Sequence, residues 1–182
     1  MNPILTIQEL FFQYPSKQWH FEDVLCACGL SRGQVNFWLR KLRKEQIIVR
    51  IKPKGKMPYY IANYKHVHYQ NTKRLFGFAK LHESGLLDYL CSLDKANTVI
   101  LFGSFARWDW HNDSDIDLFI YGDVEDVDLG KFYGKLHREI QVFSGKNEKD
   151  LYRYGSGLLR SILKGITIKG SIPLEMITHA AV

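Results

Sequence analysis

Two aspartates separated by one residue, Asp115 and Asp117, are the residues of this 182-residue chain whose type and spacing most clearly indicate chemistry. Apolar residues at positions 116, 118 and 120 alternate with them, so a β-strand would direct both carboxylates to one face of a sheet. Like charges held that close repel each other unless a cation lies between them. Mg²⁺ binds through one or two carboxylates and keeps coordination places for phosphate oxygens. The spacing therefore predicts a site for Mg²⁺, or for Mn²⁺, at these two aspartates.

A glycine-serine turn precedes the aspartates. Residues 99–102 are consecutive β-forming side chains, which is typical of a buried strand, and Gly103 follows them directly. Glycine lets the backbone approach a ligand closely, and Ser104 adds a hydroxyl beside main-chain N–H groups, an arrangement that binds phosphate. A lone Asp-x-Asp pair also occurs in turns and exposed strands that bind nothing. The turn and the pair together favour a phosphate and metal site on neighbouring strands.

The segments GSFAR at residues 103–107 and SDIDL at residues 114–118 resemble the signature of the minimal nucleotidyltransferases of the polymerase beta superfamily. The resemblance implies transfer of a nucleoside monophosphate from a nucleoside triphosphate, expected to be ATP, to a hydroxyl group, with a carboxylate-held Mg²⁺ pair. Arg107 would either steady a phosphate or pair with a carboxylate that sets the loop. The residues expected to bind the triphosphate are Gly103, Ser104, Arg107 and Ser114.

The chain departs from the signature of the minimal nucleotidyltransferases at two positions. The family commonly supplies a third carboxylate from an apolar-Asp-apolar triplet on a later strand, but Gln141 occupies the middle of that triplet here. Glu139 would share a strand face with Gln141, and we expect it to act as the substitute metal ligand or as the base that accepts the hydroxyl proton. Trp108 stands where a glycine usually follows the Ala-Arg pair; Trp108 and Trp110 either stack on a base or a partner, or simply pack. The predicted catalytic and metal-binding set is Asp115, Asp117 and Glu139.

The composition is that of a globular protein. Hydrophobic residues make up 46% of the chain, which is enough for a packed core, and no apolar run approaches the roughly 20 residues that span a bilayer. The N-terminus has no basic segment followed by an apolar one, so we expect a cytoplasmic protein without a membrane partner. Cys26, Cys28 and Cys91 have neither disulfide nor zinc-site spacing and are expected to be reduced, mostly buried thiols.

The positive charge is concentrated near the N-terminus. Residues 1–64 contain ten Lys and Arg against four Asp and Glu, whereas residues 65–182 contain fifteen of each. The net charge of +6 therefore belongs to the first segment alone. This asymmetry favours a module that faces nucleic acid, joined to a neutral one.

Three helices and a hairpin are predicted in the basic segment. Thr6 and Glu9 form a capping-box pattern at the first helix, Ser31 and Gln34 form one at the third, and Gly29 ends the second. The predicted helices cover residues 7–14, 21–28 and 32–45, and the β-rich segments of the hairpin cover residues 47–52 and 57–62.

A helix-turn-helix followed by a basic hairpin resembles the winged-helix DNA-binding fold, here over residues 6–64. In that fold the second helix of the helix-turn-helix, here residues 32–45, enters the major groove, and the hairpin contacts the DNA backbone. A homodimer would pair two half-sites. The alternative is a solvated basic face on a module that contacts protein. The side chains expected to contact DNA are Arg32, Gln34, Asn36, Arg40, Lys41, Arg43 and Lys44 on the helix and Arg50, Lys52, Lys54 and Lys56 on the hairpin.

A helical connector is predicted over residues 65–93, interrupted at Gly85. Its expected apolar face consists of Leu75, Phe78, Ala79 and His82. Beyond the aspartates, the patterns predict a helix over residues 129–137, a strand over residues 138–144, an amphipathic helix over residues 157–165 and an edge strand over residues 166–169.

The predicted fold class is α+β: an N-terminal winged helix-turn-helix (residues 1–64), the connector (65–93) and a small mixed-sheet nucleotidyltransferase-like α/β domain (94–182). This order also resembles an archaeal family of nucleotidyltransferases with an N-terminal DNA-binding domain. We expect Mg²⁺-dependent nucleotidyl transfer coupled to DNA binding. The alternative, which Gln141 favours, is a transcriptional regulator that binds nucleotide without transferring it. The acceptor is open between a small hydroxyl-bearing molecule and a partner protein such as a helical toxin-like ribonuclease.

Overall fold

The computed structural model describes residues 3–172 and 176–178. Residues 1–2 of the predicted first domain, and residues 173–175 and 179–182 of the predicted last domain, lie outside the described part. The chain divides into two compact units. The first extends to Lys73 and also includes Trp110–Asn112; the second contains Arg74–Asp109 and the residues from Asp113 onward. The division therefore falls inside a helix of the predicted connector.

The first unit contains three helices followed by a two-stranded antiparallel sheet. The first helix begins four residues earlier than predicted, because a proline is favoured in the first helical turn and Pro3 opens it. Thr6 and Glu9 therefore lie inside the helix and do not cap it. The elements are α1 (Pro3–Gln13), α2 (Phe21–Cys28), α3 (Arg32–Lys44), β1 (Ile48–Ile51) and β2 (Tyr59–Ala62).

Helix α3 begins and buries its apolar face as its sequence predicts. The Ser31 Oγ accepts a hydrogen bond from the Gln34 N–H at 3.3 Å, and the Gln34 side-chain oxygen accepts one from the Ser31 N–H at 3.0 Å. The two bonds form a reciprocal capping box. Val35, Leu39 and Leu42 are buried, which fixes the opposite, basic side of the helix toward solvent.

The connector consists of α4 (Val67–Glu83) and α5 (Leu86–Cys91), separated at Gly85 with φ +82°. The predicted apolar face of α4 is wrong: Leu75 is 71% exposed, and Ala79 and His82 are also exposed. The buried face of α4 instead contains Tyr69 and Lys73. The Lys73 ammonium donates to the Phe12 carbonyl at 2.7 Å and lies 4.6 Å from the centre of the Trp110 ring, so a cation occupies a position that a hydrophobicity pattern assigns to solvent.

The second unit contains a four-stranded mixed sheet in the order β5-β4-β3-β6. Strand β3 is antiparallel to both β4 and β6, whereas β4 is parallel to β5. The predicted α+β class, the mixed sheet and the edge position of the last strand are thereby confirmed. The strands are β3 (Ala96–Phe102), β4 (Ile116–Gly122), β5 (Ile140–Gly145) and β6 (Ile166–Lys169), and the helices are α6 (Gly103–Arg107), α7 (Gly130–Leu136), α8 (Glu148–Leu151) and α9 (Ser156–Leu163).

Helix α9 and the sheet share the hydrophobic core of this unit. Ile100, Phe102 and Phe119 of β3 and β4 pack with Leu159 and Ile162 of α9. β3 and β4 are the two central strands of this sheet; the glycine-serine turn follows the end of β3, and the aspartates lie at the start of β4.

The cysteines differ from the prediction. Cys26 and Cys91 are exposed, and all three thiols are free. Cys28 is half-buried, and this burial raises the pKa of its thiol to about 11. None of the described helices is long and apolar enough to cross a bilayer.

Candidate active site

The two aspartates lie at the start of β4, beside the end of β3. Asp117 is the second residue of β4 and pairs with Phe102, the last residue of β3; Asp115 precedes the strand by one residue. The register therefore places Asp117 next to the glycine that follows Phe102. The strand alternation directs Asp115 and Asp117 to the same side.

Gly103 packs directly against the Asp117 carboxylate. Its φ is +69°, a conformation that residues with a side chain rarely adopt. A Cβ at this position would overlap the Asp117 Oδ2 and lie 2.8 Å from its Cγ. Glycine is thus required twice, for the backbone conformation and for the space that the carboxylate fills. The turn and the aspartate form one site.

The electrostatics of the pair favour a cation. The pKa of Asp117 lies above its usual range, first because partial burial disfavours the charged form and second because Asp115 adds a like charge; Arg107 acts in the opposite direction. A divalent cation relieves both effects. Two carboxylates on one side of a strand fit one Mg²⁺ or Mn²⁺ that keeps places for phosphate oxygens. Within the described residues, no group of three His, Cys, Asp or Glu side chains converges as a metal site.

The structure does not form the predicted three-carboxylate set of Asp115, Asp117 and Glu139, because no three acidic side chains converge as a metal site in the described part of the chain. Gln141 pairs with Asp117 in the parallel register of β4 and β5, and its Nε2 donates a hydrogen bond to the Asp115 Oδ2 at 2.5 Å. Gln141 is therefore the β5 residue whose side chain reaches the pair. Glu139 contributes its main-chain carbonyl, which accepts from the Ile116 N–H at 2.9 Å, while its side chain is exposed.

Arg107 pairs with a carboxylate of the loop that follows it. Its Nε and Nη2 atoms both lie 3.3 Å from the Asp109 Oδ2. Its main-chain carbonyl accepts two hydrogen bonds from Arg74, at 3.1 and 3.0 Å. Of the two predicted roles for Arg107, the structure contains the contact that sets the loop, and the guanidinium remains exposed enough to reach a ligand.

The two tryptophans of the loop have different environments. Trp108 ends α6 with φ +121°, which is rare for any residue other than glycine. The resembled signature has a glycine at this position, and the backbone retains the conformation that glycine adopts freely. Trp110 is buried in the first unit, with its ring edge-on to Phe12 at 6.2 Å between ring centres. Trp110 thus packs and is not available for stacking on a ligand.

Arg138 and Ser114 form a contact that the sequence patterns do not indicate. The Arg138 Nη1 donates to the Ser114 carbonyl at 2.7 Å. Arg138 is buried although it is charged. The sequence places Arg138 as the first residue of a predicted strand, and that position does not reveal the partner.

Two of the residues expected to contact DNA are engaged within the first unit. Arg32 forms a bidentate ion pair with Glu22, at 2.6 and 3.0 Å, and both side chains are exposed. The Gln34 side chain belongs to the cap of α3. Asn36 is exposed, and so is Phe37, which the sequence patterns did not single out and which is 59% exposed.

Five of the other basic residues of this unit line two open clefts beside the end of α3: Arg40, Lys41, Arg43, Lys44 and Arg50. One cleft, of about 550 Å³, lies between α3 and β1 and is lined by the cations Arg40, Arg43, Lys44 and Arg50. The other, of about 710 Å³, is lined by Phe37 and His68 together with Arg40, Lys41 and Lys44. The hairpin lysines Lys52, Lys54 and Lys56 are exposed.

Comparison with known proteins gives one family match over part of the chain. Residues 83–163 match a family model described as a nucleotidyltransferase domain. The matched range begins in α4, ends in α9 and contains the Gly103 turn, both aspartates and Gln141. A search of curated proteins finds no match. The family match supports assignment of this part of the chain to the nucleotidyltransferase superfamily.

Proposed function

We propose that the chain transfers a nucleoside monophosphate from a nucleoside triphosphate, most simply ATP, to a hydroxyl acceptor, with Mg²⁺ or Mn²⁺ held by Asp115 and Asp117. The observation that carries the proposal is the packing of Gly103 against the Asp117 carboxylate, within the range that matches a nucleotidyltransferase domain. A phosphate-binding turn and a metal-binding carboxylate in direct contact are what this reaction requires.

Each residue of the site has a role in the proposed reaction. Gly103 and Ser104 bind phosphate oxygens through main-chain N–H groups and a hydroxyl. Ser114, which precedes Asp115, and Arg107 would complete the triphosphate contacts. A bound divalent ion supplies charge neutralisation for the triphosphate. The acceptor hydroxyl loses its proton to solvent as its oxygen bonds to the α-phosphorus, the bond between the α-phosphorus and the oxygen that bridges to the β-phosphate breaks, and pyrophosphate leaves. Positioning of the two substrates provides most of the acceleration.

A second function is favoured by one observation, the contact of Gln141 with Asp115. The amide is neutral and donates a hydrogen bond where the resembled family commonly has a third carboxylate. Removing a metal ligand or base from such a centre raises the barrier by several kcal/mol. The alternative is therefore a DNA-binding transcriptional regulator whose second unit binds nucleotide and transfers it slowly or not at all.

Single-turnover chemistry distinguishes the two functions. The purified chain is mixed with α-labelled ATP, Mg²⁺ and a candidate acceptor, and both labelled product and pyrophosphate are measured. Transfer by the wild type that is lost in Asp115→Asn/Asp117→Asn supports the enzyme. Nucleotide binding without pyrophosphate release supports the regulator, and turnover gained by Gln141→Asp identifies the amide as the reason. Labelling by the double variant at the wild-type rate contradicts the site assignment.

We also propose that the first unit is a winged helix-turn-helix that binds DNA, alone or as a homodimer. Supporting this are the excess of positive charge before residue 65 and the clefts lined by Arg40, Lys44 and Arg50. Arg32 would have to exchange its Glu22 partner for DNA, and Gln34 would have to leave the helix cap. We therefore assign sequence reading mainly to Asn36, Phe37 and Arg40.

If the hydroxyl acceptor is a protein, such as a helical toxin-like ribonuclease, that partner would bind at the second unit.

The salt dependence of DNA binding by the full chain tests this proposal. If about four to six cations meet phosphates, log affinity falls with log salt with a slope of about −4 to −5. Changing Lys52, Lys54 and Lys56 together to alanine should weaken binding to all sequences and flatten the slope. The matched control replaces Lys131, Lys149 and Lys164, which are exposed lysines of the second unit, and removes the same net charge. Equal effects of the two triple variants, or no binding at low salt, would refute the DNA interface.

A further inference from the structure

We propose that Arg138 is a positioning residue that fixes Asp115 in its metal-binding orientation and couples it to the glycine-serine turn at Gly103 and Ser104. This inference rests on the proposed function, because it assumes that Asp115 and Asp117 hold a divalent ion. Arg138 lies outside the GSFAR and SDIDL segments, and it is not among the site residues predicted from the sequence.

One buried side chain contacts both halves of the site. Arg138 is only 9% exposed. Its Nη1 donates to the carbonyl of Ser114, the residue before Asp115, at 2.7 Å. The guanidinium carbon lies 5.1 Å from the centre of the Phe105 ring, and Phe105 is a buried residue of α6, two residues after Gly103. Movement of the Arg138 head group would therefore release the aspartate segment and the turn together.

The residues after Arg138 complete the support of Asp115. The Glu139 carbonyl accepts from the N–H of Ile116, the residue after Asp115, at 2.9 Å. Gln141 donates to the Asp115 carboxylate itself at 2.5 Å. The start of β5 thus holds the segment on both sides of Asp115 and at its side chain. Of these three contacts, only that of Arg138 also reaches α6.

The geometry requires a guanidinium. Its planar fork can donate to a carbonyl while its face packs on an aromatic ring, whereas a lysine ammonium cannot do both from one position. Burying a charge also costs free energy unless it is hydrogen-bonded, so a neutral side chain would be the cheaper way to fill the same space. Groups that orient metal ligands in this way are typically worth about 10–100-fold in metal affinity.

Mn²⁺ titration of the full chain, followed by electron paramagnetic resonance, tests the proposal without relying on activity. Arg138→Met should weaken Mn²⁺ binding about 10-fold or more. Arg138→Lys, which keeps the charge and one donor, should have an intermediate affinity. The matched control is Lys135→Met: the Lys135 ammonium donates to the Ser84 carbonyl at 2.9 Å, so this change also removes a cation-carbonyl bond from the second unit, but away from the aspartates.

The outcomes separate the inference from the function on which it rests. Weaker Mn²⁺ binding by Arg138→Met than by Lys135→Met, with comparable thermal unfolding of the two variants, supports the positioning role. Wild-type affinity in Arg138→Met, or equal losses in the two methionine variants, overturns it. If Arg138→Met does not fold, wild-type affinity in Arg138→Lys overturns it. Absence of Mn²⁺ binding by the wild type itself would instead overturn the proposed metal site.

Discussion

Replacing Gly103 with alanine should damage the second unit through one identifiable collision. The substitution adds only a methyl group, but that methyl would overlap the Asp117 Oδ2 and lie 2.8 Å from its Cγ. The backbone must also keep φ +69° with a side chain present. The fold and the metal site should therefore be weakened by the same change.

The magnitude follows from two contributions. A left-handed conformation costs a residue with a side chain about 1–2 kcal/mol. Displacing a packed neighbour to make room for an added methyl costs about 1–3 kcal/mol. Gly103→Ala should thus destabilise the second unit by about 2–5 kcal/mol. Gly85→Ala is the matched control, because Gly85 has φ +82° in the same unit and nothing within 4 Å of its Cβ position. It should lose only the backbone contribution, about 1–2 kcal/mol.

Hydrogen exchange of the β3 and β4 amides measures this loss in the second unit by itself, which a global melt of a two-unit chain does not. A double-mutant cycle isolates the collision. In an Asp117→Ala background the carboxylate is absent, so Gly103→Ala should cost no more than Gly85→Ala. Mn²⁺ binding should fall in Gly103→Ala and be retained in Gly85→Ala. Equal destabilisation by the two alanine variants, with Mn²⁺ binding intact in both, would refute the packing of Gly103 against Asp117.

Three further predictions concern the same surfaces. The pKa of Asp117 is raised, first by partial burial and then by the like charge of Asp115, so its ionisation as pH rises above the unfolded value of 3.8 costs the metal-free protein stability. Asp117→Asn should therefore raise the unfolding temperature at pH 7 and have little effect near pH 3, measured by calorimetry in a chelator. An unchanged difference across that range would contradict the sign. Gln141→Asp should lower metal-free stability by repulsion from Asp115 and increase the number of Mn²⁺ ions bound. Gln141→Glu adds the same charge on a longer side chain, so comparing the two variants separates the effect of charge from the effect of side-chain length. Phe37→Ala should remove any preference for thymine over uracil in a selected DNA site, since the two bases differ only in the methyl group that an aromatic side chain can contact; equal discrimination by the variant would exclude Phe37 from the interface.

Local patterns in the sequence were sufficient for most of the fold. The Ser31–Gln34 cap, the buried run before Gly103 and the alternation around Asp117 are each determined by neighbouring residues, and the elements that they predict are present. The face of α4 was predicted incorrectly because Lys73 is buried by a carbonyl and an aromatic ring that come from distant parts of the chain. Hydrophobic periodicity carries no information about such partners.

The site shows the same division between local and distant information. The two aspartates and the turn were identified from their spacing, but the contact that makes Gly103 indispensable depends on the register of β3 and β4. The hydrogen bond between Gln141 and Asp115 depends on the parallel register of β4 and β5. Register is decided by packing across the sheet, so neither contact could be derived from the spacing of residues along one strand.

Counting the nucleotide and metal bound per chain tests the central claim most directly. Equilibrium dialysis of the full chain with Mn²⁺ and an ATP analogue that cannot be cleaved between the α and β phosphates gives both numbers. The proposed site predicts one nucleotide per chain, bound only when Mn²⁺ is present, and loss of that binding in Asp115→Asn/Asp117→Asn while the variant remains folded. Nucleotide binding that is independent of Mn²⁺ and unchanged in the double variant would contradict a nucleotidyltransferase site at these two aspartates.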